Sequence, residues 1–598
     1  MFGNRKRVVL VLALLLALIS ACARPTPEVI EKEVVVEKEV PVTVEVEKEV
    51  VVEKEVVVTV TPAPAPEIPR GGTVRIAMWE TREAYNPHMR GGYAYQSYVG
   101  ATLQRLISFD ANGNPVPVLA TEIPSLENGG VSEDGKTITF HLRPGVKWAD
   151  GEPFSSADVK FTIEAILNPD NIVTSRAGYD MIESVETPDD LTAIFHYKEF
   201  YAGWMIIPWY VLPEHILGTE PNWNTAEWNI MVVGTGPFYV CENVPGDHYT
   251  LCKNEYYWEP GKPYLDKIAV LWVPDREALK ARFKAGDYAA AYLITDLDIP
   301  EFNAKDTALH MEQGGSIEAL WINMSPSDGP DMGNPNIENP ITGDLKVRQA
   351  LELAIDKQEI VHSIFLDAIP AAACPVPAGW GYDPTMEVTE FNPEKARQLL
   401  DEAGWEVGPD GIREKDGLRM HVTMMGSTAK YRMLYMQLIQ QWWKDVGVEM
   451  EILTPEPSLR WAPYNEGGLL RVGAGDVQAI GDTYPLDPSA LLEQNFRCSA
   501  IPSDECPTCW NGSRWCNEEF EKAMDEAAGE KSFEKRLEAL RRAGRVLGED
   551  RAVIPLFART RTTPVNTKQL AGWMPPEGKP NPWEYFTTYA GNWYIPKQ

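Results

Sequence analysis

Strand-type and helix-type patterns alternate along this chain from about residue 70 onwards. Apolar and polar residues alternate over 138–142, as in a half-buried strand. Ser155-Ser156-Ala157-Asp158 has the spacing of a helix-capping box, and Asn392-Pro393 has the form of a second helix start. Gly404 and Gly447 are placed to end helices. Because such mixed elements pack as sheets covered by helices, we expect an α/β fold.

Length and charge restrict the classes of function. A chain of 598 residues is longer than one compact core needs, so two or more lobes are expected. The net charge of -32 argues against a nucleic-acid partner, because phosphate binding requires a surplus of Lys and Arg. The 19 Trp residues can form cores, and they can also line pockets for peptides or sugars.

The N-terminus has the pattern of a lipoprotein export signal. Arg5-Lys6-Arg7 is followed by an unbroken apolar run from Val8 to Ile19, which is shorter than the ~20 residues of a membrane-spanning helix. The run ends in Ile19-Ser20-Ala21-Cys22, which resembles a bacterial lipobox. We therefore expect residues 1–21 to be a signal peptide and Cys22 to carry a lipid on the extracytoplasmic face of the membrane.

Residues 22–69 are of low complexity and are predicted to be a stalk. Glu-Lys-Glu-Val-Val-Val recurs at 31–36 and 47–52, with a period that fits neither an amphipathic helix nor a heptad. Thr61-Pro62-Ala63-Pro64-Ala65-Pro66 then forms a stiff spacer. The stalk either holds the globular part away from the lipid or associates with itself.

Cysteine usage is consistent with an oxidising compartment. Cys241 and Cys252 flank a four-residue turn and would face each other in a hairpin, within bridging distance. Cys374 has no evident partner and is expected to be a buried thiol. A Pro/Gly/Ser-rich stretch holds four more, which allow two disulfides or one zinc site, and an oxidising location favours the disulfides. These four are Cys498, Cys506, Cys509 and Cys516.

One long segment carries a family resemblance. Residues 132–154, from Ser132-Glu133-Asp134-Gly135 to Asp150-Gly151-Glu152-Pro153-Phe154, resemble the signature of the family 5 extracellular solute-binding proteins. These are the oligopeptide-, dipeptide- and nickel-binding components of ABC importers. Further segments follow in the family's order over roughly 70 to 598. They include 234–238, 254–258, 263–268, 320–323, 347–357, 392–400 and 554–556.

The resemblance implies a two-lobed periplasmic-binding-protein clamp of type II, of the large class with an extra subdomain on lobe one. Closure of the two lobes would bury the ligand. The implied segments are 70–113, 235–315 and 559–598 for lobe one, 114–234 for the extra subdomain and 316–558 for lobe two.

The resemblance also implies a ligand site. Peptide-binding members anchor the ligand's α-ammonium on a buried carboxylate, and the comparable segment here is 479–488. We expect Asp482 to be that anchor, with Tyr484 beside it and Asp487 in reserve; a turn or helix-capping role is the alternative for Asp482. The Gly-Trp pair that usually precedes this Asp is absent, and Trp461 is the one upstream candidate to close the pocket. Weaker candidates for ligand contact are Trp79, Tyr95 and Asn323.

Other functions were weighed against peptide binding. Ser427-Thr428-Ala429-Lys430 has the SxxK spacing of serine hydrolases, but Ser-Asp-Asn and Lys-Thr-Gly motifs are absent, and Ser427 can instead cap the next helix. An oligosaccharide-binding member of the same family would use the Trp and Tyr side chains. The same clamp could also report to a sensor. We expect no enzyme activity, metal or cofactor. We expect a monomer that binds a small molecule, favouring a peptide, and delivers it to a membrane permease.

Overall fold

The structure is a computed structural model that describes residues 68–80, 86–89, 98–207, 210–220, 222–292, 294–574, 578 and 581–597. Residues Pro69–Gln598 form one compact unit. The predicted signal peptide, Cys22, nearly all of the predicted stalk and Tyr95 lie outside the described residues. Within those ranges, no helix has both the length and the apolar character needed to cross a membrane.

The strands are short and are distributed along the whole described chain. In order they are β1 Thr73–Met78, β2 Ile107–Phe109, β3 Pro115–Pro117, β4 Thr137–His141, β5 Ile182–Asp189, β6 Thr192–Tyr197, β7 Phe238–Val244, β8 His248–Lys253, β9 Lys267–Trp272, β10 Ala290–Tyr292, β11 Thr307–Glu312, β12 Ser316–Ile322, β13 Glu406–Val407, β14 Arg413–Lys415, β15 Leu418–Arg419, β16 His421–Met425, β17 Glu449–Leu453, β18 Val477–Thr483, β19 Val553–Ala558 and β20 Arg561–Asn566.

The α-helices lie between these strands. In order they are α1 Val99–Thr102, α2 Ser156–Leu167, α3 Glu214–Leu217, α4 Arg276–Lys284, α5 Leu345–Leu353, α6 Lys357–Phe365, α7 Pro393–Glu402, α8 Lys430–Asp445, α9 Pro457–Arg460, α10 Leu469–Val472, α11 Ser489–Phe496, α12 Glu518–Gly529 and α13 Phe533–Glu549.

Two large sheets define two lobes. The first lobe is built on a seven-stranded sheet in the order β11-β20-β10-β1-β9-β8-β7, in which β1 pairs in parallel with both β9 and β10. The second lobe is built on a five-stranded sheet in the order β17-β16-β18-β12-β19. The mixture of parallel and antiparallel strands with intervening helices confirms the predicted α/β class.

The chain crosses between the two sheets twice. It passes from β11 to β12 through residues 313–315 and returns from β19 to β20 through residues 559–560. The first crossing approaches the second lobe closely, since the Tyr484 amide donates to the Gly315 carbonyl at 3.0 Å. A Cβ added at Gly315 would lie 1.8 Å from the Tyr484 carbonyl oxygen, so only glycine fits there.

A third region packs against the second lobe. It contains the three-stranded sheet β4-β6-β5 and the hairpin of β2 and β3. Trp380 of the second lobe donates its indole N–H to the Gly113 carbonyl at 2.9 Å, and its ring lies 5.7 Å from that of Phe109 and 5.2 Å from that of Phe533. One continuous buried cluster therefore joins this region to the second lobe.

The predicted segment boundaries follow the sheets except at one point. The β2–β3 hairpin pairs Ile107–Phe109 with Pro115–Pro117, so the boundary placed between 113 and 114 falls within it. The strands of the seven-stranded sheet all come from 70–113, 235–315 and 559–598, and those of the five-stranded sheet all come from 316–558. The boundaries themselves stay a prediction.

The helix starts predicted at Ser155 and Asn392 and the helix ends predicted at Gly404 and Gly447 are confirmed. Ser155 and Asp158 form a complete capping box at the start of α2, and Pro393 is the first residue of α7 after the N-cap Asn392. Gly404 and Gly447 follow α7 and α8 with positive φ values of 85° and 91°. A left-handed residue after the last turn is the usual way that a helix ends.

The cysteines pair as the oxidising location suggests. Cys241 and Cys252 are bridged across the β7–β8 hairpin, with Cα atoms 5.7 Å apart. In the loop region, Cys498 pairs with Cys516 and Cys506 pairs with Cys509. Cys374 is a free, buried thiol whose pKa burial raises to about 11. No group of three or more residues in the described ranges has the arrangement of a metal site.

Candidate ligand-binding site

The C-terminal end of β18 borders a cavity of about 340 Å³, called here the anchor cavity. Such a volume is at the small end of those that hold a bound small molecule. Its lining combines one carboxylate, one guanidinium and several aromatic rings. The lining residues are Trp321, Arg432, Trp461, Ala479, Ile480, Gly481, Asp482, Leu491, Gln494, Asn495 and Trp510.

Asp482 is the carboxylate of the anchor cavity. Its Oδ2 accepts a hydrogen bond of 3.0 Å from the indole N–H of Trp321, which lies on the same face of the neighbouring strand β12. No cation pairs with Asp482 among the described residues. Burial and the nearby charge of Glu318 together raise the pKa of Asp482 to about 7, although its Trp321 hydrogen bond acts in the other direction. A half-buried carboxylate without a counter-ion is suited to receive a cationic group.

Arg432 is already paired on the opposite face of the sheet. Its Nε donates to Glu318 Oε1 at 2.5 Å, and Tyr435 also donates to that oxygen, at 2.7 Å. Glu318 is fully buried, so this network fixes the position of the guanidinium. The anchor cavity therefore presents one free carboxylate and one guanidinium that is already oriented by its own partners.

The backbone of β18 has a free edge beside Asp482. Strand β16 pairs with β18 only at Val477 and Gln478. Just beyond the two ends of β18, the Tyr484 N–H donates to the Gly315 carbonyl and the Asp476 carbonyl accepts from the Asn323 N–H, both on the β12 side. The backbone N–H and C=O groups of the even-numbered residues of β18 therefore point towards β12. By alternation, the N–H and C=O groups of Gly481 and Thr483 point to the unpaired edge, where an extended chain can add as a further strand.

Two tryptophans form the aromatic wall of the anchor cavity. The rings of Trp461 and Trp510 lie 5.8 Å apart, and the Arg471 guanidinium lies 4.4 Å from the centre of the Trp510 ring. Trp461 was a sequence candidate, whereas Trp510 was missed. The sequence feature that could have identified Trp510 is its position directly after Cys509. A loop closed by disulfides can hold an aromatic side chain in place.

Tyr484 lines a second cavity of about 250 Å³ at the crossings between the sheets, called here the hinge cavity. The Tyr484 hydroxyl is buried and has no hydrogen-bond partner among the described residues. Burial raises its pKa well above the ordinary value near 10. It remains a neutral hydroxyl that can donate a hydrogen bond to a ligand.

The other predicted site residues lie elsewhere. The Asn323 amide donates to the carbonyls of Gly473 and Gly475, and its oxygen accepts from Ser325, so it holds a loop of the second lobe. Trp79 is half-buried against the core, with the Arg276 guanidinium 4.2 Å from its ring centre. Neither residue lines the anchor cavity.

Asp487 and Ser427 are both engaged in the structure. Asp487 is buried and accepts a hydrogen bond of 2.7 Å from Arg536, which leaves it unsuited to the reserve role. Ser427 was expected to cap the next helix, but the N-cap of α8 is Ala429 and makes no side-chain capping bond. Ser427 Oγ instead accepts from Arg432 at 2.7 Å, while Lys430 is exposed. The SxxK residues thus form no hydrogen-bonded pair in the described part of the chain.

Sequence comparison places this architecture in a known group. The model of the middle region of the bacterial extracellular solute-binding proteins, family 5, matches residues 114–499. The chain belongs to this family. The match covers more than half of the 598 residues and includes β18 and the anchor cavity's Asp482.

Individual relatives cover different shares of this family member. A Brucella abortus protein described as an ABC transporter peptide-binding protein is 33% identical over 281 residues, which span 46% of this chain and about half (50%) of the relative. The dipeptide-binding protein of Escherichia coli is 28% identical over 524 residues, 82% of this chain and 90% of the relative. Both relatives are named as binding proteins, and the Brucella abortus protein is named as one of an ABC transporter.

Solved structures of the family show the same fold. The oligopeptide-binding protein AppA of Bacillus subtilis, in complex with a nonapeptide, matches with a TM-score of 0.59 and 24% identity. The match covers 89% of this chain and all (100%) of AppA. The two-sheet architecture described above is therefore the periplasmic-binding-protein fold that the sequence resemblance implied.

Proposed function

We propose that this protein binds a peptide between its two lobes and delivers it to a membrane permease of an ABC importer. Asp482 would receive the peptide's α-ammonium, and the free edge at Gly481 and Thr483 would bond its backbone. The aromatic wall of Trp461 and Trp510 would pack against its first side chain. The observation that carries this proposal is a half-buried carboxylate without a counter-ion, placed beside an unpaired strand edge.

A clamp of this kind works by differential affinity. A ligand that contacts both lobes only when they are closed shifts the population towards the closed form. The closed form would then be recognised by the permease. The N-terminal pattern of Arg5-Lys6-Arg7, the apolar run and Cys22 supports lipid anchoring on the extracytoplasmic face, with the binding unit acting as a monomer.

Mass spectrometry of the co-purifying ligand tests the proposal directly. Residues 70–598 would be purified without denaturation and then denatured, and the released small molecules would be identified. Peptides with free amino termini would support the proposal. An oligosaccharide would contradict it and would assign the Trp461–Trp510 wall to sugar stacking. An empty protein would be titrated with a peptide library by calorimetry, and failure to bind any peptide would also contradict it.

Peptide affinity is expected to rise with pH between about 5 and 7. Only the ionised form of Asp482 attracts an ammonium group, and its pKa in the empty site is about 7. Binding below that pH releases a proton, so the dissociation constant should fall roughly 25-fold from pH 5.5 to pH 7.5. The dissociation constant should reach its minimum at about pH 7.5 and rise again above about pH 8, because the peptide's own amine, with an ordinary pKa of about 7.7–8.0, deprotonates there. Calorimetry over this range checks the slope, and a pH-independent constant would rule out Asp482 as the anchor.

A further inference from the structure

Two buried arginines lie against the aromatic wall of the anchor cavity. The Arg460 guanidinium lies 4.7 Å from the centre of the Trp461 ring, and the Arg471 guanidinium lies 4.4 Å from that of Trp510. The exposed fractions of the two arginines are only 2% and 5%. Both rings line the anchor cavity and neither arginine does, so the two charges act on the cavity from behind the aromatic wall.

Each of these arginines donates to uncharged oxygens. Arg460 Nη2 donates to the Ala479 carbonyl at 3.0 Å and to the side-chain oxygen of Gln478 at 3.2 Å. Arg460 Nε is buried and has no hydrogen-bond partner among the described residues. Arg471 donates to three backbone carbonyls. Within the described ranges, neither guanidinium therefore forms an ion pair with a carboxylate.

The two carboxylates beside the anchor cavity have other partners. Glu318 is paired with Arg432, at 2.5 Å between Oε1 and Nε. Asp482 is the one carboxylate among the lining residues, and an ammonium group held there would compensate its charge. The charges of Arg460 and Arg471 then have no compensating charge in the part of the chain that the structure describes.

Both guanidiniums stay charged at neutral pH. Burial lowers the pKa of Arg471 and, together with the charge of Arg432, lowers the pKa of Arg460 to about 10. A buried charge without a counter-ion is unfavourable, because it has lost its hydration and gained no opposite charge. A negative ligand group beside the aromatic wall would offset part of this cost, whereas a positive group would increase it.

The two tryptophan rings are also poor partners for a ligand cation. The face of an indole ring is electronegative and attracts a cation placed over it. In Trp461 and Trp510, a guanidinium of the protein already makes this interaction. The rings still offer apolar surface to the stem of a ligand side chain. The aromatic wall therefore accepts the stem of a long side chain and opposes a positive charge at its end.

The two arginines leave the proposed ammonium position unaffected. Burial and the charge of Glu318 raise the pKa of Asp482, and the Trp321 hydrogen bond acts in the other direction. No guanidinium of the described residues lowers this pKa, so the arginines behind the aromatic wall do not act strongly on Asp482. The carboxylate and the aromatic wall of the anchor cavity thus favour ligand groups of opposite charge.

We propose that the anchor cavity selects peptides by the charge of their first side chain, with Arg460 and Arg471 favouring an acidic residue and disfavouring a basic one. This rests on the proposed function, because the peptide's amine must be held at Asp482 for the first side chain to reach the aromatic wall. The two arginines determine specificity through their charge and do not touch the ligand.

Calorimetry at pH 7.5 with three tripeptides tests this inference. Each tripeptide ends in two alanines and begins with glutamate, with its neutral isostere glutamine, or with lysine. We expect the glutamate peptide to bind roughly tenfold more tightly than the glutamine peptide, and the lysine peptide roughly tenfold more weakly. Arg471→Met keeps an apolar stem against Trp510 and removes the charge. It should reduce the affinity ratio of the glutamate and lysine peptides roughly tenfold.

Arg471→Lys separates the charge of this residue from its hydrogen bonds. Lysine keeps the positive charge but lacks the planar fork that bonds several carbonyls at once. The order of the three affinities should therefore be retained, even if all three fall. If Arg471 only held the aromatic wall in place, both variants would lower the three affinities by a common factor.

Arg413→Met is the matched control. Arg413 is also buried and donates mainly to backbone carbonyls, and it stacks on no tryptophan in the described ranges. Its loss should lower stability and leave the affinity ratio unchanged. Equal affinities of the parent protein for the three peptides would overturn the charge selection, as would an unchanged ratio in Arg471→Met. Failure of all three peptides to bind would instead contradict the peptide function, and the charge selection with it.

Discussion

Replacing Asp482 with asparagine is expected to abolish tight peptide binding and to stabilise the empty protein. Asparagine keeps an oxygen that can accept the Trp321 indole N–H, so the local geometry is retained. The charge that would hold an ammonium group is lost, which should raise the dissociation constant roughly 100- to 1,000-fold. Calorimetry with a peptide that binds the parent protein measures this change.

The gain in stability follows from the raised pKa of Asp482. Its folded value of about 7 exceeds the ordinary value near 4, so the folded state holds a proton that the unfolded state has lost. Ionisation at neutral pH therefore destabilises the fold by roughly 2–4 kcal/mol, and this penalty grows as the pH rises from 4 to 7. Asp482→Asn should raise the melting temperature at pH 7.5 and leave it nearly unchanged at pH 4.

Asp487→Asn is the matched control, because it also removes one carboxylate from the same segment. It would leave buried Arg536 without its 2.7 Å partner and should destabilise the fold by about 3 kcal/mol. The two variants should thus shift the melting temperature in opposite directions. If Asp482→Asn binds peptide as tightly as the parent protein, the anchor role of Asp482 is wrong.

Removing the Cys498–Cys516 disulfide is expected to weaken both the fold and the binding of ligand. This bond closes a loop of 18 residues that contains Trp510, so a double Ser variant should lose about 3 kcal/mol of unfolding free energy. The aromatic wall depends on Trp510 being held 5.8 Å from Trp461. We expect ligand affinity to fall about tenfold, measured by calorimetry below the melting temperature of the variant.

The Cys241–Cys252 disulfide provides the matched control. It lies in the β7–β8 hairpin of the first lobe and lines neither the anchor cavity nor the hinge cavity. Its double Ser variant should lose stability without losing affinity. Trp510→Ala should lose affinity while both loop disulfides stay intact. Equal affinity losses in the two disulfide variants would show that the lower affinity comes from the lower stability of the fold. They would contradict the idea that it comes from a displaced Trp510.

Sequence reasoning succeeded where the signal is local. The capping box at Ser155, the helix end at Gly447 and the Cys241–Cys252 bridge each depend on residues a few positions apart. The two-lobed architecture followed from ordered family motifs, which carry information about distant contacts that periodicity alone does not contain. These features can be predicted from the sequence without knowledge of the tertiary packing.

The site was predicted less completely because it is assembled from distant segments. Trp510 comes from a loop that no local pattern links to Asp482. Asn323 has a strand-end position typical of ligand contact, yet its amide bonds to the carbonyls of a neighbouring loop. Whether a polar side chain is free or already engaged is decided by which backbone groups lie opposite it, and the sequence does not state this.

The positions of β19 and β20 determine when the two large sheets can be completed. Residues 561–566 lie between β11 and β10, so the seven-stranded sheet lacks an interior strand until nearly all of the chain has been synthesised. The five-stranded sheet also needs a late strand, because its edge strand β19 ends at residue 558, three residues before β20 begins. Contacts between such distant segments fold slowly. During synthesis the sheets of both lobes therefore stay incomplete until β19 and β20 are available, which favours keeping the chain competent for export until then.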